Sequence, residues 1–267
     1  MLIADIHSHS CVSPDGSDTA EEMVRCAKLN GVDILCITDH YEVAEKERPD
    51  YKDIEPNYDK TMRVRGDNDG VKTLVGIEMG GAIYEPQQAR DVLSRHDFDF
   101  VLNSLHHVFY GKEAVDYYGM DYTGCNTAEL LRDYFKTLYE QCKLNLFDSL
   151  AHIDYPTRYM RQRNVPFDLS DCDDEIDAVL KYLCENGKAL EINTSGLFAS
   201  YHTTLPQADI IRRYRSFGGE FVTLGSDSHE ARFLGRGIKE GIKEAAEAGI
   251  KYIAYYEKRQ LRTISID

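Results

Sequence analysis

The sequence is short of several features that would each place it in a particular class of protein. No apolar run approaches the roughly 18 residues of a membrane-spanning helix, and the first residues lack the basic segment of a secretory signal peptide. No Gly-, Pro- or Ser-rich linker divides the 267 residues. Although this length would allow two domains, α/β barrels of roughly 200–250 residues are routinely single domains. We therefore expect one domain, residues 1–267, in a cytoplasmic protein.

Cysteine-pairing motifs are also missing. The seven cysteines are scattered and include no C-x-x-C pair, unlike a disulfide framework or a thiolate zinc finger. They indicate reduced thiols, and Cys36, inside an apolar run, is expected in the core.

Basic residues are outnumbered, with 31 Lys and Arg against 46 Asp and Glu and a net charge of −15. Tight non-specific binding of nucleic acid depends on Lys and Arg contacts to phosphates. We therefore expect neither long nucleic acid nor a membrane as a partner. A small anionic substrate fits only if metal ions neutralise the cavity that receives it. The oligomeric state is left open.

What the sequence does contain is an alternation of strand-like and helix-like segments. Apolar strand candidates occupy residues 2–6, 33–37, 73–77, 98–105, 145–150, 189–192 and 220–224. Amphipathic helix candidates occupy residues 19–29, 86–96, 128–144, 173–185 and 205–217. Strands alternating with helices favour a parallel sheet covered on both faces. Seven such units favour closure into a barrel.

Three segments do not follow this alternation. Residues 41–72 and 110–127 are long and polar, as functional loops often are. Tyrosines in the second loop could stack on an aromatic substrate, although such tyrosines are more often ordinary packing; they are Tyr110, Tyr117, Tyr118 and Tyr122. The tail, residues 252–266, could add a terminal strand or hairpin.

Most of the strand candidates end in residue types that bind metal ions. In DIHSHS, residues 5–10, the two histidines stand two positions apart, so a strand directs both to one face. The strand-end set is His7, His9, His40, Glu78, His106, His152, Asp227 and His229. A single strand-end histidine is more often a solvated side chain, but the carboxyl ends of parallel barrel strands gather on one face. The joint pattern therefore favours a metal site.

The chemistry of this set narrows the choice of metal. Imidazoles and carboxylates without thiolates suit zinc, manganese or iron in a site that is not purely structural. The set exceeds what one ion can use. We therefore expect two to three divalent ions, bridged by a carboxylate such as Glu78.

Taken in order, these motifs resemble the PHP (polymerase and histidinol phosphatase) family. The resemblance rests on DIHSHS, TDH, the glutamate of GIEMG, the histidine of NSLHH, AHID and GSDSH, which run from residue 5 to residue 229. Within the family, the chain length and the stretch EINTSGL, residues 191–197, resemble the monofunctional histidinol phosphatases. The resemblance implies a distorted (β/α)7 TIM-like barrel with a trinuclear metal centre at the C-terminal ends of the strands. It also implies hydrolysis of L-histidinol phosphate to L-histidinol and phosphate, a step of histidine biosynthesis.

Carried over position by position, the family's ligands fall into three sets. The first ion would be held by His7, His9, Glu78 and Asp227. The second would be held by Glu78, His106 and His152. The third would be held by His40, His229 and Asp15. The family often has His where this chain has Asp15, which puts the occupancy or metal preference of the third site in question.

The resemblance also assigns substrate contacts. Arg158, which follows AHID, matches a phosphate-binding arginine of the family. After NTSGL the family commonly has a second such arginine, but this chain has Phe198. Arg161 and Arg232 are alternative cations for substrate binding, and each arginine could equally be a solvated surface side chain. The loss could change the phosphoester, weaken binding or be compensated by another element.

The implied reaction is metal-assisted hydrolysis of a phosphomonoester. Arg158 would neutralise the phosphoryl oxygens, and Asp227 or His229 would protonate the leaving group. Three further strand-end carboxylates would either orient ligand imidazoles or cap their strands: Asp5, Asp39 and Asp154. Two alternatives stay open, a PHP phosphoesterase acting on nucleotides or another small phosphoester and a catalytically inert metal-binding regulatory protein.

Overall fold

The computed structural model describes residues 1–43, 54–110 and 113–266. The strands are β1 Ala4–Asp5, β2 Ile34–Ile37, β3 His40–Glu42, β4 Gly66–Asn68, β5 Val71–Gly80, β6 Phe100–Ser104, β7 His107–Tyr110, β8 Glu113–Asp116, β9 Ser149–Leu150, β10 Ala189–Asn193, β11 Phe221–Gly225, β12 Tyr252–Glu257 and β13 Gln260–Ser265. The helices are α1 Ala20–Leu29, α2 Ile54–Met62, α3 Pro86–Arg95, α4 Thr127–Cys142, α5 Tyr155–Gln162, α6 Asp173–Glu185, α7 Ala208–Ser216 and α8 Ile238–Glu247. None of these helices is long and apolar enough to span a membrane.

Seven of the strands run parallel in the order β1-β2-β5-β6-β9-β10-β11. The sheet closes because the end of β11 lies beside the end of β1. There the Ile6 amide donates to the Leu224 carbonyl at 3.0 Å, and the His9 amide donates to the Ser228 carbonyl at 2.8 Å. Each of these strands overlaps one of the seven predicted segments. The prediction of a distorted, TIM-like barrel of seven parallel strands is confirmed.

Alternation along each strand separates the barrel interior from its outer layer, as the pleat requires. On β2, Ile34 and Cys36 join the buried cluster inside the barrel. Leu35 and Ile37 join a different cluster that includes Met23 of α1. Cys36 therefore lies in the core, as predicted. The barrel is a filled core, and its functional face is at the strand ends.

The C-terminal hairpin closes the amino-terminal opening of the barrel. β12 lies parallel to the start of β11, and β13 pairs antiparallel with β12. Tyr256 of β12 enters the interior cluster, where its ring stacks on Phe100 with the centroids 5.4 Å apart. Its hydroxyl donates to the Asp148 carbonyl at 3.2 Å. The prediction of a terminal hairpin is thus confirmed.

Five predicted helices are present as α1, α3, α4, α6 and α7, with ends shifted by up to three residues. The first begins at a cap in which the Thr19 hydroxyl accepts the Glu22 amide at 3.2 Å. Helices α2, α5 and α8 were not predicted. The two polar stretches expected to be loops contain β3, α2, β4 and β8, and residues 44–53 and 111–112 within them lie outside the described part of the chain.

Candidate active site

The predicted metal-binding residues converge at the carboxyl ends of the strands, around a cavity of about 110 Å³. Glu78 lies at the centre of the cluster and is fully buried. Its Oε1 is 3.0 Å from His152 Nε2 and 3.1 Å from His106 Nε2. Its Oε2 is 2.7 Å from His40 Nδ1 and 3.5 Å from His7 Nε2. One carboxylate thus faces imidazoles from four different parts of the chain.

The remaining predicted ligands surround His9 on the other side of the cluster. The His9 ring stacks between the rings of His40 and His229, with centroids 4.2 and 4.3 Å away. Its Nε2 lies 3.4 Å from Asp227 Oδ1. Asp15, on an exposed loop, has its Oδ2 3.2 Å from His229 Nε2 and 3.8 Å from His40 Nε2. All nine predicted ligands are therefore brought together.

Two nitrogen atoms of the cluster are buried without a hydrogen-bond partner among the described residues: His7 Nε2 and His9 Nε2. Buried polar atoms in folded proteins are nearly always hydrogen-bonded. In some groups of three residues, one donor atom of each residue lies within 4.8 Å of the others. One such group is His7, His9 and Glu78. A second group is Glu78, His106 and His152. A third such group is His9, His40 and His229. Nitrogen and oxygen donors so arranged fit divalent metal ions.

Histidine and arginine side chains stabilise the ionised forms of the buried carboxyls in the cluster. Burial by itself would raise the pKa of the Glu78 carboxyl, but His40, His106 and His7 hold that pKa well below its usual range. Burial likewise opposes ionisation of Asp227, whose pKa is nevertheless held well below its usual value by His7 and Arg158. Both carboxyls are therefore anionic, as metal ligation requires.

Two glutamates that we did not predict hold the ligand imidazoles in place. Glu191 Oε1 lies 2.6 Å from His7 Nδ1, and Glu191 Oε2 accepts the His152 amide at 2.8 Å. Glu42 Oε1 lies 2.6 Å from His106 Nδ1. Such carboxylates fix the ring orientation of metal-binding histidines. A signal for Glu191 was available, because it is the single charged residue in the buried strand ALEIN.

Two of the three aspartates predicted to orient imidazoles bond other groups instead. Asp5 accepts hydrogen bonds from the Ser226 and Gly235 amides, and Asp154 bonds Thr157. Asp5 thus ties two loop segments to the end of β1, and Asp154 bonds the first turn of α5, as the capping alternative expected. Asp39 acts on an imidazole indirectly. It accepts the Ser13 hydroxyl at 2.8 Å, and that hydroxyl lies 3.2 Å from His9 Nδ1.

The GSDSH segment is shaped by close backbone approach. A side chain at Gly225 would overlap His7 and Glu191, so glycine is needed where β11 passes beneath them. Two residues later Asp227 has a left-handed backbone with φ 53°, which is uncommon for a residue other than glycine. Its amide donates to the His7 carbonyl at 2.9 Å, which holds it in that conformation. Such strain is found at functional sites.

Of the predicted substrate-binding arginines, only Arg158 lines the cavity among the described residues. It is largely buried, and its Nη2 donates to Asp227 Oδ2 at 2.8 Å and to Ser195 Oγ at 3.0 Å. Arg161 lies one turn further along α5, about 4.5 Å along the helix axis, over the rings of Phe167 and Tyr201.

The other arginine alternative is also placed away from this cavity. Arg232 is exposed and pairs with Glu230 at 2.7 Å. Phe198, which stands where the family resemblance would place an arginine, is exposed. The guanidinium carbon of Arg236 lies 3.6 Å from the centroid of its ring. Phe198 and Arg236 line a neighbouring cavity that also contacts Asp227 and His229.

The aromatic wall of the cavity comes from α5, since Tyr155 and Tyr159 line it. Of the tyrosines predicted in the second polar stretch, Tyr117 and Tyr122 are buried packing residues, whereas Tyr118 is exposed. Tyr110 lies outside the residues whose side chains the structure describes.

Comparisons with known proteins agree with this arrangement. The sequence profile described as PHP domain matches residues 5–195. A probable histidinol-phosphatase of Thermotoga maritima is 32% identical over 256 residues, covering 96% of each chain. A probable histidinol-phosphatase of Clostridium acetobutylicum is 29% identical over 266 residues, covering 98% of this chain and 99% of the relative.

A solved structure shows the same fold. The histidinol phosphate phosphatase of Lactococcus lactis subsp. lactis Il1403, complexed with zinc, L-histidinol and phosphate, matches with a TM-score of 0.77 at 22% identity and covers 97% of this chain and 98% of its own. The profile match spans the larger part of the sequence, and the Thermotoga relative is similar over nearly its whole length. The chain therefore belongs to the PHP family.

Proposed function

We propose that this protein is a metal-dependent histidinol phosphatase, which hydrolyses L-histidinol phosphate to L-histidinol and phosphate in histidine biosynthesis. Full-length relatives carry that name, and the structurally similar Lactococcus lactis enzyme was crystallised with zinc, L-histidinol and phosphate. The observation that carries the proposal is the buried cluster of imidazoles and carboxylates around Glu78, with Arg158 in the wall of the same cavity.

The donor atoms support two to three divalent ions. The first would be held by His7, His9, Glu78 and Asp227, and the second by Glu78, His106 and His152. The third would be held by His40, His229 and Asp15, since Asp15 lies within 3.8 Å of both imidazoles. Zinc, manganese and iron all suit such donors, and zinc has the added support of the Lactococcus lactis structure.

When bound, such ions lower the pKa of water towards neutrality and neutralise phosphoryl oxygens. The protein's own contribution begins with Arg158. Its guanidinium is positioned by Asp227 and Ser195, and in the partly buried cavity it stabilises the charge on the phosphoryl oxygens. Glu191 and Glu42 keep the His7 and His106 rings oriented for ligation.

The leaving alkoxide needs a proton, and the two candidates from the sequence both line the cavity. The pKa of Asp227 is held well below its usual value, so this carboxyl stays ionised and is a poor donor. Burial would lower the pKa of His229, but Asp15 and Asp227 raise it above its ordinary value. Of the two, His229 is the better proton donor when it does not ligate the third ion, because an imidazole bound to metal has no proton on the ligating nitrogen.

The test is phosphate release by protein that has been stripped of metal and reconstituted with zinc, manganese or iron. The substrates are L-histidinol phosphate and a panel of other phosphomonoesters and mononucleotides. We expect histidinol phosphate to have the highest kcat/KM. Turnover of other esters without histidinol phosphate would contradict the proposed substrate and leave a PHP phosphoesterase. A fully metallated protein that is inert on the whole panel would contradict enzymatic function.

A further inference from the structure

Asp116 is an acidic residue of the cavity wall that belongs to none of the potential metal-binding groups among the described residues. It stands at the end of β8, and its side chain is half-buried. Each of the other described carboxylates that line this cavity lies within 3.8 Å of at least one imidazole nitrogen of the cluster. Asp116 is therefore a charge in the wall that metal binding does not require.

The hairpin β7–β8 fixes the position of this carboxylate relative to the metal cluster. Asp116 pairs with His107 across the hairpin, and the next amide, that of Tyr117, donates to the His106 carbonyl at 3.0 Å. Asp116 Oδ1 accepts the Tyr118 amide at 2.6 Å. No Lys, Arg or His nitrogen of the described residues lies within ion-pair distance of Asp116. One of its oxygens is thus oriented by the backbone, and the described residues provide no cationic partner for its charge.

Aromatic rings complete this part of the wall. The Tyr155 ring packs 4.7 Å from His106 and 4.9 Å from His152, and the Tyr159 hydroxyl donates to the Tyr155 hydroxyl at 2.8 Å. Burial, then Tyr159 and the Asp116 charge, raise the pKa of the Tyr155 hydroxyl well above its usual value. Asp116, Tyr155 and Tyr159 line the same cavity. A carboxylate beside aromatic faces is a binding site for an organic cation.

We propose that Asp116, with the rings of Tyr155 and Tyr159, binds the positively charged part of the substrate and determines specificity for cationic phosphomonoesters. This inference rests on the proposed function. Histidinol phosphate carries an ammonium group and a protonatable imidazole, whereas its phosphate is directed to the metal cluster and Arg158. The cavity then has an anion-binding side and a cation-binding side, and an ester without a cation loses the second contact.

The experiment compares wild type with Asp116→Asn on phosphomonoesters whose alcohol part is cationic and on phosphomonoesters whose alcohol part is uncharged, which we call cationic and uncharged esters. The cationic substrates are histidinol phosphate and phosphoethanolamine, and the uncharged ones are p-nitrophenyl phosphate and ethyl phosphate. We expect Asp116→Asn to lower kcat/KM for the cationic esters by about 10- to 100-fold, mainly through KM, because a charged hydrogen bond is lost. The uncharged esters should change by less than about twofold. Equal effects on both classes, or no effect on the cationic class, would overturn the inference.

Asp121→Asn is the matched control. Asp121 lies in the same connection and accepts the Thr123 amide at 2.9 Å, just as Asp116 accepts an amide two residues ahead, but it is exposed and away from the cavity. It should leave every substrate unchanged. An equal loss in this variant would also overturn the inference. Wild type that prefers phosphoethanolamine to ethyl phosphate but does not turn over histidinol phosphate would contradict the proposed substrate while supporting the cation subsite.

Discussion

The two ends of the barrel both hold buried carboxylates, but they neutralise them in different ways. At the amino-terminal end, the Asp99 carboxylate accepts hydrogen bonds from the Arg65 guanidinium at 2.5 Å and from the Val75 amide at 3.0 Å. The Asp148 carboxylate likewise accepts hydrogen bonds from the Arg259 guanidinium at 2.5 Å and from the Val101 amide at 2.9 Å. At the carboxyl end, Glu78 and Asp227 face imidazoles instead, and His7 Nε2 and His9 Nε2 have no hydrogen bond within the described part of the chain.

This difference separates stability from function within one fold. A buried carboxylate that bonds a guanidinium and a backbone amide has its hydrogen-bonding capacity met by the chain itself, so it stabilises the folded state. Buried imidazole nitrogens without partners cost folding free energy unless something else binds them. The amino-terminal end is therefore expected to govern stability, and the carboxyl end is expected to govern metal binding and turnover.

The largest expected effect comes from Glu78→Gln. The amide keeps the size of the side chain but removes the charge that faces His7, His40, His106 and His152. Because metal ions supply several kcal/mol of transition-state stabilisation, we expect turnover to fall on the order of a thousandfold, together with bound metal. Metal analysis and phosphate release test this. Unchanged metal content and turnover in a folded variant would contradict the central role of Glu78.

A smaller effect is expected from Glu191→Gln, which keeps the side-chain shape but removes the charge held against His7 Nδ1. Partners that orient a metal ligand are worth about 10- to 100-fold in metal affinity or activity. Competition with a chelator should show weaker zinc binding of that size. Zinc affinity and kcat equal to wild type would mean that Glu191 serves only packing.

The smallest effect on catalysis is expected at the other end of the barrel. Arg259→Ala leaves Asp148 buried without its guanidinium, which should lower the free energy of unfolding by about 1–3 kcal/mol. Turnover should not change. Urea unfolding and kinetics on the same preparation test this prediction.

Arg262→Ala is the control for that substitution, because Arg262 is exposed on the neighbouring strand and pairs with Glu257 at 3.2 Å. Its loss should cost less than about 0.5–1 kcal/mol. A large fall in kcat for Arg259→Ala at full occupancy of metal would break the separation between the two ends.

The predicted part of the site was encoded locally. The apolar run followed by His7 and His9 gives both a strand and the face on which the imidazoles lie, because the alternation of a strand has a fixed period. The seven barrel strands were found for the same reason. Arg158 came from the family resemblance, whereas Arg161 could not be set aside without knowing that its guanidinium lies over Phe167 and Tyr201.

The missed residues depend on pairing between distant segments. Glu191 acts on His7 across 184 positions of sequence, and Glu42 acts on His106 across 64. Asp116 enters the cavity through a hairpin inside a polar stretch that had no periodicity. No local pattern specifies which imidazole such a carboxylate will meet. The aspartates next to the motif histidines looked better placed in sequence, but Asp5 binds loop amides and Asp154 binds the Thr157 hydroxyl of α5 instead.

Closure of the barrel between β1 and β11 has a consequence for the order of events during synthesis. Asp5 and Ser226, which join the two strand ends, are 221 positions apart. The set Glu78, His106 and His152 is complete in sequence once residue 152 has been synthesised, whereas the other two proposed ligand sets wait for Asp227 or His229. The complete donor set forms after translation has passed residue 229. Assembly of the complete donor set therefore waits for β11, the last strand to join the barrel.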